Sequence, residues 1–210
     1  MREACVESLH EAIKAEERGA GRIELCADLH IGGTTPPSLL IERVCRSLRI
    51  PVMVMIRPRG GNFVYSPAEI RAMKISISHC GQAGAHGVVF GFLDAANQID
   101  LSLTEDMASY SQPLQVTFHK AIDETPDPLA GILSLCSMAG ITRVLTSGGK
   151  PTAFEGVAVI NEMTRVSAGR IILLAAGKIT DENLPELSKH LVTREFHGRR
   201  IVGDLGGIQI

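Results

Sequence analysis

Five residue pairs carry most of the reactive side chains of this chain. They are Glu3 with Cys5, Glu24 with Cys26, Arg57 with Arg59, Thr117 with His119, and Glu195 with His197. The members of each pair are two positions apart and sit at the ends of short β-rich runs. In an extended strand such residues point the same way. If that direction is inward in every strand, carboxylates, guanidiniums, thiols and imidazoles converge on one polar site. The opposing reading is a set of internal ion pairs, because a charge inside a strand is expensive unless partnered.

Each pair suggests its own chemistry. His119 lies in "VTFHKAID", with Asp123 four residues on. That spacing suits a general base and the acid that orients it. Glu24, in "RIELC", would pair with Arg57 on the next strand, either as structure or as part of the chemistry. Pro58 keeps Arg57 extended and blocks a helix. Arg57 is expected on Glu24 or on a substrate anion. Arg59 would face the outer loop and is a second candidate for anion contact. Lys120 has the opposite parity to His119, which argues against a Schiff-base lysine inside. Cys5 and Cys26 end adjacent strands, and two thiolates in reach of each other suit Cu(I). Free cysteine is also an ordinary buried core residue. His30 can approach the site from its loop, whereas His10, His79, His86 and His190 read as surface or helix residues.

Two glycine-bearing turns, "TSGGK" at 146–150 and "AAGKI" at 175–179, add backbone donors. Ser147, Gly148, Gly149 and Lys178 are therefore candidates for holding a phosphate or carboxylate. Neither turn matches a P-loop, and each also reads as a plain tight turn.

The elements that would position these residues alternate along the chain. Short strands near "EACVE", "RIELC", "PVMVMI", "GVVFG", "LQVTFH", "RVLTSGG", "RIILLA" and "REFHG" are separated by capped helical patterns. Ser8 with Glu11 and Ser66-Pro67 with Glu69 are helix starts. Further helices are expected with Pro36 in a first turn, from about Asp100, at Asp127-Pro128, over 152–166 and from Thr180. The repeat is roughly 27 residues, the size of one βα unit. Eight such units close into an α/β TIM (β/α)8 barrel whose site lies at the C-terminal strand ends. An open doubly wound sheet lacks its GxGxxG after the first strand. The whole of residues 1–210 reads as one domain.

The bulk properties narrow the function. Hydrophobic residues make up 45% and charged residues 21%, as in ordinary globular proteins. A net charge of −2 gives no reason to expect nucleic acid or an acidic membrane as partner. The longest apolar run, around "IPVMVMI", is too short to span a bilayer. The charged N-terminus shows no signal peptide. The five cysteines form no CxxC and read as reduced, cytoplasmic thiols.

Taken together, "GRIELCADLHIGGTTP", "VMIRPRGGNFVYS", "VTFHKAID", "VLTSGG" and "REFH" resemble the CutC family of copper-homeostasis proteins over almost the whole chain. The resemblance implies a TIM barrel, a cytoplasmic location, self-association and copper binding, with Cys5 and Cys26 at the positions of the proposed ligands. The family's mouth also resembles an enzyme site. Two hypotheses follow: a Cu(I)-binding protein, or an enzyme acting on a small anionic substrate through Glu24, Arg57, His119 and Asp123. The sequence departs from the family after strand seven, where "LAAGKI" replaces a glycine-rich run and introduces Lys178. It departs again at Lys120, where the family usually has arginine.

The last twelve residues, "RRIVGDLGGIQI", are glycine-rich and short for a helix. The eighth helix is therefore expected to be missing or truncated. Apolar faces of the first and seventh helices would stay partly uncovered, and a homo-oligomer would cover them.

Overall fold

The computed structural model describes residues 1–206. Eight parallel strands form a closed barrel in chain order: β1 (Arg2–Val6), β2 (Arg22–Leu25), β3 (Val52–Met55), β4 (Gly87–Phe90), β5 (Gln115–Phe118), β6 (Ile141–Thr146), β7 (Ile172–Ala175) and β8 (Glu195–Gly198). Seven α-helices follow the first seven strands: α1 (Leu9–Glu17), α2 (Ser38–Ser47), α3 (Pro67–Ala83), α4 (Leu101–Tyr110), α5 (Pro128–Cys136), α6 (Ala153–Ser167) and α7 (Leu184–His190).

The helix starts follow local chemistry. Ser8 accepts from the Glu11 amide, and Ser66 and Glu69 close a reciprocal capping box before Pro67. Asp100, Asp127 and Thr152 cap α4, α5 and α6. Two expected starts move. Pro36 lies outside α2, which begins at Ser38 after Pro37. A residue that precedes proline is biased away from the α region, so Pro36 stays extended. Helix α7 begins at Leu184 rather than Thr180, because Thr180 and Asn183 first close a turn on each other's amides.

Between barrel and helices lies the main apolar core, with Ile23, Leu25, Val54, Val88, Phe90, Val116, Phe118 and Val144 all buried. Inside the barrel, the N-terminal end is closed by ion pairs. Arg22 bonds Glu3 and reaches Glu195 at 2.7 Å, and Arg143 meets Glu195 at 2.9 Å and Gln115 at 2.6 Å. Glu195 therefore serves the barrel floor and not its mouth, and Glu3 joins the floor to His197 above it, a correction to the expectation for those pairs. Both stand at the starts of their strands, two positions before Cys5 and His197.

No α-helix follows β8 among the described residues. The wall is nevertheless less open than expected. Ile201, Val202 and Leu205 pack into the main core, and Arg18 of the α1 end donates to the Asp204 carbonyl at 2.5 Å. On α1, Ile13 remains 37% exposed. Residues 207–210, the rest of that tail, lie outside the described residues. Among the described residues no helix is long and apolar enough to cross a membrane.

Candidate metal and anion site at the barrel mouth

Strands β1 and β2 run in register with Cys5 opposite Glu24. Cys26, one step beyond the end of β2, shares Glu24's inward parity. Cys5 Sγ lies 3.8 Å from Cys26 Sγ and 3.4 Å from Glu24 Oε2, and Cys26 Sγ is 3.5 Å from the same oxygen. All five cysteines are free. Across the closure, β8 pairs with β1 and sets His197 opposite Glu3. His197 Nδ1 meets Glu3 Oε1 at 2.8 Å, and Nε2 lies 3.7 Å from Glu24 Oε2. One ligand atom each from Cys5, Glu24 and His197 falls within 4.8 Å of the others.

The electrostatics of this cluster separate its members. The Cys26 hydrogen bond brings the Cys5 thiol down to about 6 against the effect of burial, with help from His197. That same bond, together with burial, pushes Cys26 well up. Burial and the neighbouring Cys5 charge push Glu24 well above the usual carboxyl range. Burial opposes a charge on His197, yet Glu24, Cys5 and Glu3 together hold its imidazolium well above the ordinary value. Glu3 is also buried, but His197 and Arg22 keep its carboxyl below the usual range. The mouth thus brings two thiols, an imidazole and a carboxyl into contact, with Cys5 shifted toward its thiolate, His197 toward its imidazolium, and Cys26 and Glu24 toward their neutral forms.

A metal ion's place can be tested on Glu24, whose Oε1 is buried without any hydrogen-bond partner. An unpaired buried polar atom is costly, and a cation between the sulfurs and this carboxyl would satisfy it. The donor set is soft on one side, with two cysteines and the Met55 side chain lining the same cavity. His197 has a carboxylate behind it, the arrangement that orients ligating imidazoles. These residues fit a soft metal ion.

His119 lies across the mouth. It is 3% exposed, and burial together with the Arg57 charge lowers it to about 3, so it is neutral at pH 7. Nδ1 accepts from the Ala121 amide at 3.2 Å and Nε2 has no partner. Its ring stands 4.7 Å from that of Phe63. Gly91 makes room for it: a Cβ at that position would lie 2.5 Å from Nδ1.

Two expected partnerships do not form. Glu24 does not pair with Arg57. The Arg57 guanidinium donates instead to the carbonyls of Ile31, Gly33 and Gly61 at 3.4, 3.2 and 2.7 Å and sits 4.8 Å over Phe63. Arg57 lies just beyond the end of β3, where loop carbonyls are nearer than the Glu24 carboxyl two layers down. Nor does Asp123 orient His119. The Lys120–Glu124 turn after β5 carries Asp123 away toward β6, where it accepts from the Ser147 and Gly149 amides at 2.9 and 2.8 Å and from Lys120 Nζ at 2.6 Å. Thr146 Oγ1 bonds its other side.

That geometry also corrects the reading of "TSGGK". The donors of Ser147 and Gly149 already hold an anion, the Asp123 carboxylate, and the Gly148 amide goes to Thr146 Oγ1 at 2.8 Å. Arg59 is a loop clamp. It reaches Glu69 at 2.6 Å, the Asn62 and Val64 carbonyls at 3.0 and 2.7 Å, and stacks 5.2 Å over Tyr65. Lys178 remains at the rim, exposed and in a left-handed conformation with φ 56°.

A cavity of about 160 Å³ lies among Cys5, Cys26, Arg57, Phe63, His119 and His197. A second, of about 420 Å³, opens beyond Cys5 toward Lys178 and Arg200. His197 and Glu3 as a functional couple, and Gly91 and Phe63 as the walls of His119, were not singled out from the sequence. The parity of "REFH" carried the His197 signal. Gly91 and Phe63 gave none, because their role depends on packing between distant loops.

The sequence model of the CutC family matches residues 1–202. The chain belongs to the CutC family. It is 44% identical over 197 residues to the copper homeostasis protein cutC homologues of mouse and of human, covering 94% of this chain and 72% of each relative. A CutC family protein of Histophilus somni is 40% identical, covering 93% and 80%. A CutC crystal structure from Streptococcus agalactiae superposes with a TM-score of 0.90 at 33% identity, covering 96% of this chain and 99% of that one. An aldolase superposes with a TM-score of 0.69 at 12% identity, a likeness of fold alone. CutC membership and the TIM-barrel architecture thus agree with the resemblance read from the motifs.

Proposed function

We propose that this CutC protein takes part in copper homeostasis by holding Cu(I) at the barrel mouth on Cys5 and Cys26, with Glu24 and His197 completing the donor set. The observation that carries this reading is the pair of reduced sulfurs 3.8 Å apart beside a buried, unpartnered carboxyl oxygen. Thiolates select a soft monovalent ion, and the lowered Cys5 thiol supplies one at neutral pH. Arg57, fixed on loop carbonyls, and neutral His119 then shape the cavity wall. The reading places the protein in a reducing, cytoplasmic setting, because oxidised cysteines would not bind. X-ray absorption on the protein loaded anaerobically with Cu(I) tests it. A sulfur shell is expected, and a purely nitrogen and oxygen shell would contradict it.

A second reading, an enzyme acting on a small anion, rests on the unpartnered His119 Nε2 and Arg57 Nε beside the smaller cavity. Because Nδ1 accepts from the Ala121 amide, the neutral ring carries its proton on Nε2, which is placed to donate a hydrogen bond or a proton to an occupant of the cavity. Asp123 and Arg59 have no part in it, since both are held elsewhere. Screening metabolite extracts for turnover with wild type and His119→Ala addresses this reading, and identical profiles count against it.

A further inference from the structure

The larger cavity at the mouth has a charge pattern that copper binding alone does not use. Its wall includes Lys120, Lys178, Arg199 and Arg200, together with His197 and the Cys5 side chain, and no aspartate or glutamate lines it among the described residues. Three of the four cations are balanced from outside the cavity. Lys120 has Asp123 at 2.6 Å, Arg199 has Glu7 at 3.1 Å, and Arg200 has Glu182 only at 3.9 Å. Lys178 has no carboxylate partner among the described residues.

Lys178 also occupies a backbone conformation that glycine would adopt more easily. Its φ of 56° follows Gly177 at 108°, and Asn183 Nδ2 pins the turn by donating to the Lys178 carbonyl at 2.9 Å. A bulky residue held left-handed on a pinned turn is a feature that clusters at ligand sites. The volume, about 420 Å³, lies in the range of small-molecule pockets. Cys5, Leu29, Lys120 and His197 line both cavities, so an occupant of the larger one ends at the Cys5 sulfur.

We infer that this cavity is a docking subsite for a Cu(I)-carrying small thiol that bears carboxylates. The inference rests on the copper reading above. The carboxylates sit against Lys178, Arg200 and Lys120, and the carrier sulfur meets Cys5. Copper passes by ligand exchange without changing oxidation state. The Cys5 sulfur–copper bond forms as a carrier sulfur–copper bond breaks, and the freed carrier sulfur takes a proton released from the protein's thiol pair. Cationic rims of this kind raise the local concentration of anionic ligands and lose effect as salt rises.

The test uses mercaptosuccinate, with two carboxylates and a thiol, and mercaptoethanol as the neutral counterpart. Binding to the copper-free protein is followed by NMR at low salt, with inorganic phosphate as a further probe. Mercaptosuccinate is expected to bind well ahead of mercaptoethanol and phosphate. The exposed-site variant Lys178→Glu/Arg200→Glu should weaken it about tenfold, and circular dichroism of the variant confirms the fold. Equal binding of both thiols, an unchanged affinity in the variant, or phosphate binding more tightly would each overturn the inference. A separate Cu(I) titration against a chelator reports on the copper reading. If that titration fails while mercaptosuccinate still binds with the predicted charge dependence, the copper reading falls and the anion subsite stands.

Discussion

Replacing Gly91 by alanine should evict His119 from the mouth. The added methyl carbon would lie 2.5 Å from Nδ1, 2.6 Å from Cε1 and 3.1 Å from the Ala121 Cβ. It falls about 0.9 Å short of the 3.4 Å at which ordinary van der Waals contact begins. The ring has little freedom to withdraw, because Phe63 stands 4.7 Å away on centroids and the Ala121 amide holds Nδ1. Gly91 is not in a left-handed conformation, so the backbone itself accepts alanine and the effect is purely one of packing. Overpacking of this kind costs about 1–3 kcal/mol. Urea unfolding should show a loss in that range. The His119 ring resonances should move toward those of a solvated imidazole, titrating near 6.5 instead of about 3. Stability unchanged within about 0.5 kcal/mol, with the ring still titrating low, would show that Gly91 does not make room for His119.

Alkylation of Cys5 by iodoacetamide should reach half its maximal rate near pH 6, while Cys80, pushed up to about 12 by burial, stays inert under the same conditions; mass mapping of the labelled sites checks it. His119 is lowered in the folded chain, so between about pH 6 and about 3 the unfolded chain binds a proton that the folded one does not. Its stabilising contribution is present above that window and falls with acidification by about 1.4 kcal/mol per pH unit. His119→Gln should remove that part of the slope in denaturant melts at a series of pH values. Asp123→Asn should destabilise the protein by about 3 kcal/mol, because the buried carboxylate accepts from two amides, a hydroxyl and Lys120. Chemical unfolding measures this, and a loss under about 1 kcal/mol would mean the turn holds without the charge.

The barrel was legible because its signals are local. Alternating strands, capped helices such as Ser66-Pro67-x-Glu69, and the even βα spacing each follow from short-range chemistry. The inward parity of Glu24, Cys26, Thr117 and His119 followed from the two-residue strand period, and so did the proximity of Cys5 to Cys26. Partner choice was not legible. Whether Arg57 meets Glu24 or the Ile31, Gly33 and Gly61 carbonyls depends on how two loops fold over the strand end. Asp123 reads as an orienting acid by its distance from His119 along the chain. A 3-10 turn sends it instead into the donors after β6, where a glycine turn that looked open to substrate is filled by the protein's own carboxylate. The absence of a helix after β8 among the described residues was foreseen, but the packing of Ile201, Val202 and Leu205 into the core was not, since the glycines of that stretch argued against any ordered element there.

The central claim is that Cys5 and Cys26 together hold Cu(I), and an anaerobic titration against a competing Cu(I) chelator tests it most directly. Partners behind a metal's own ligands are already worth about 10–100-fold in affinity. Losing both sulfurs in Cys5→Ser/Cys26→Ser should therefore cost more than about 100-fold, with each single variant in between. The same affinity in the double variant as in wild type would contradict the account.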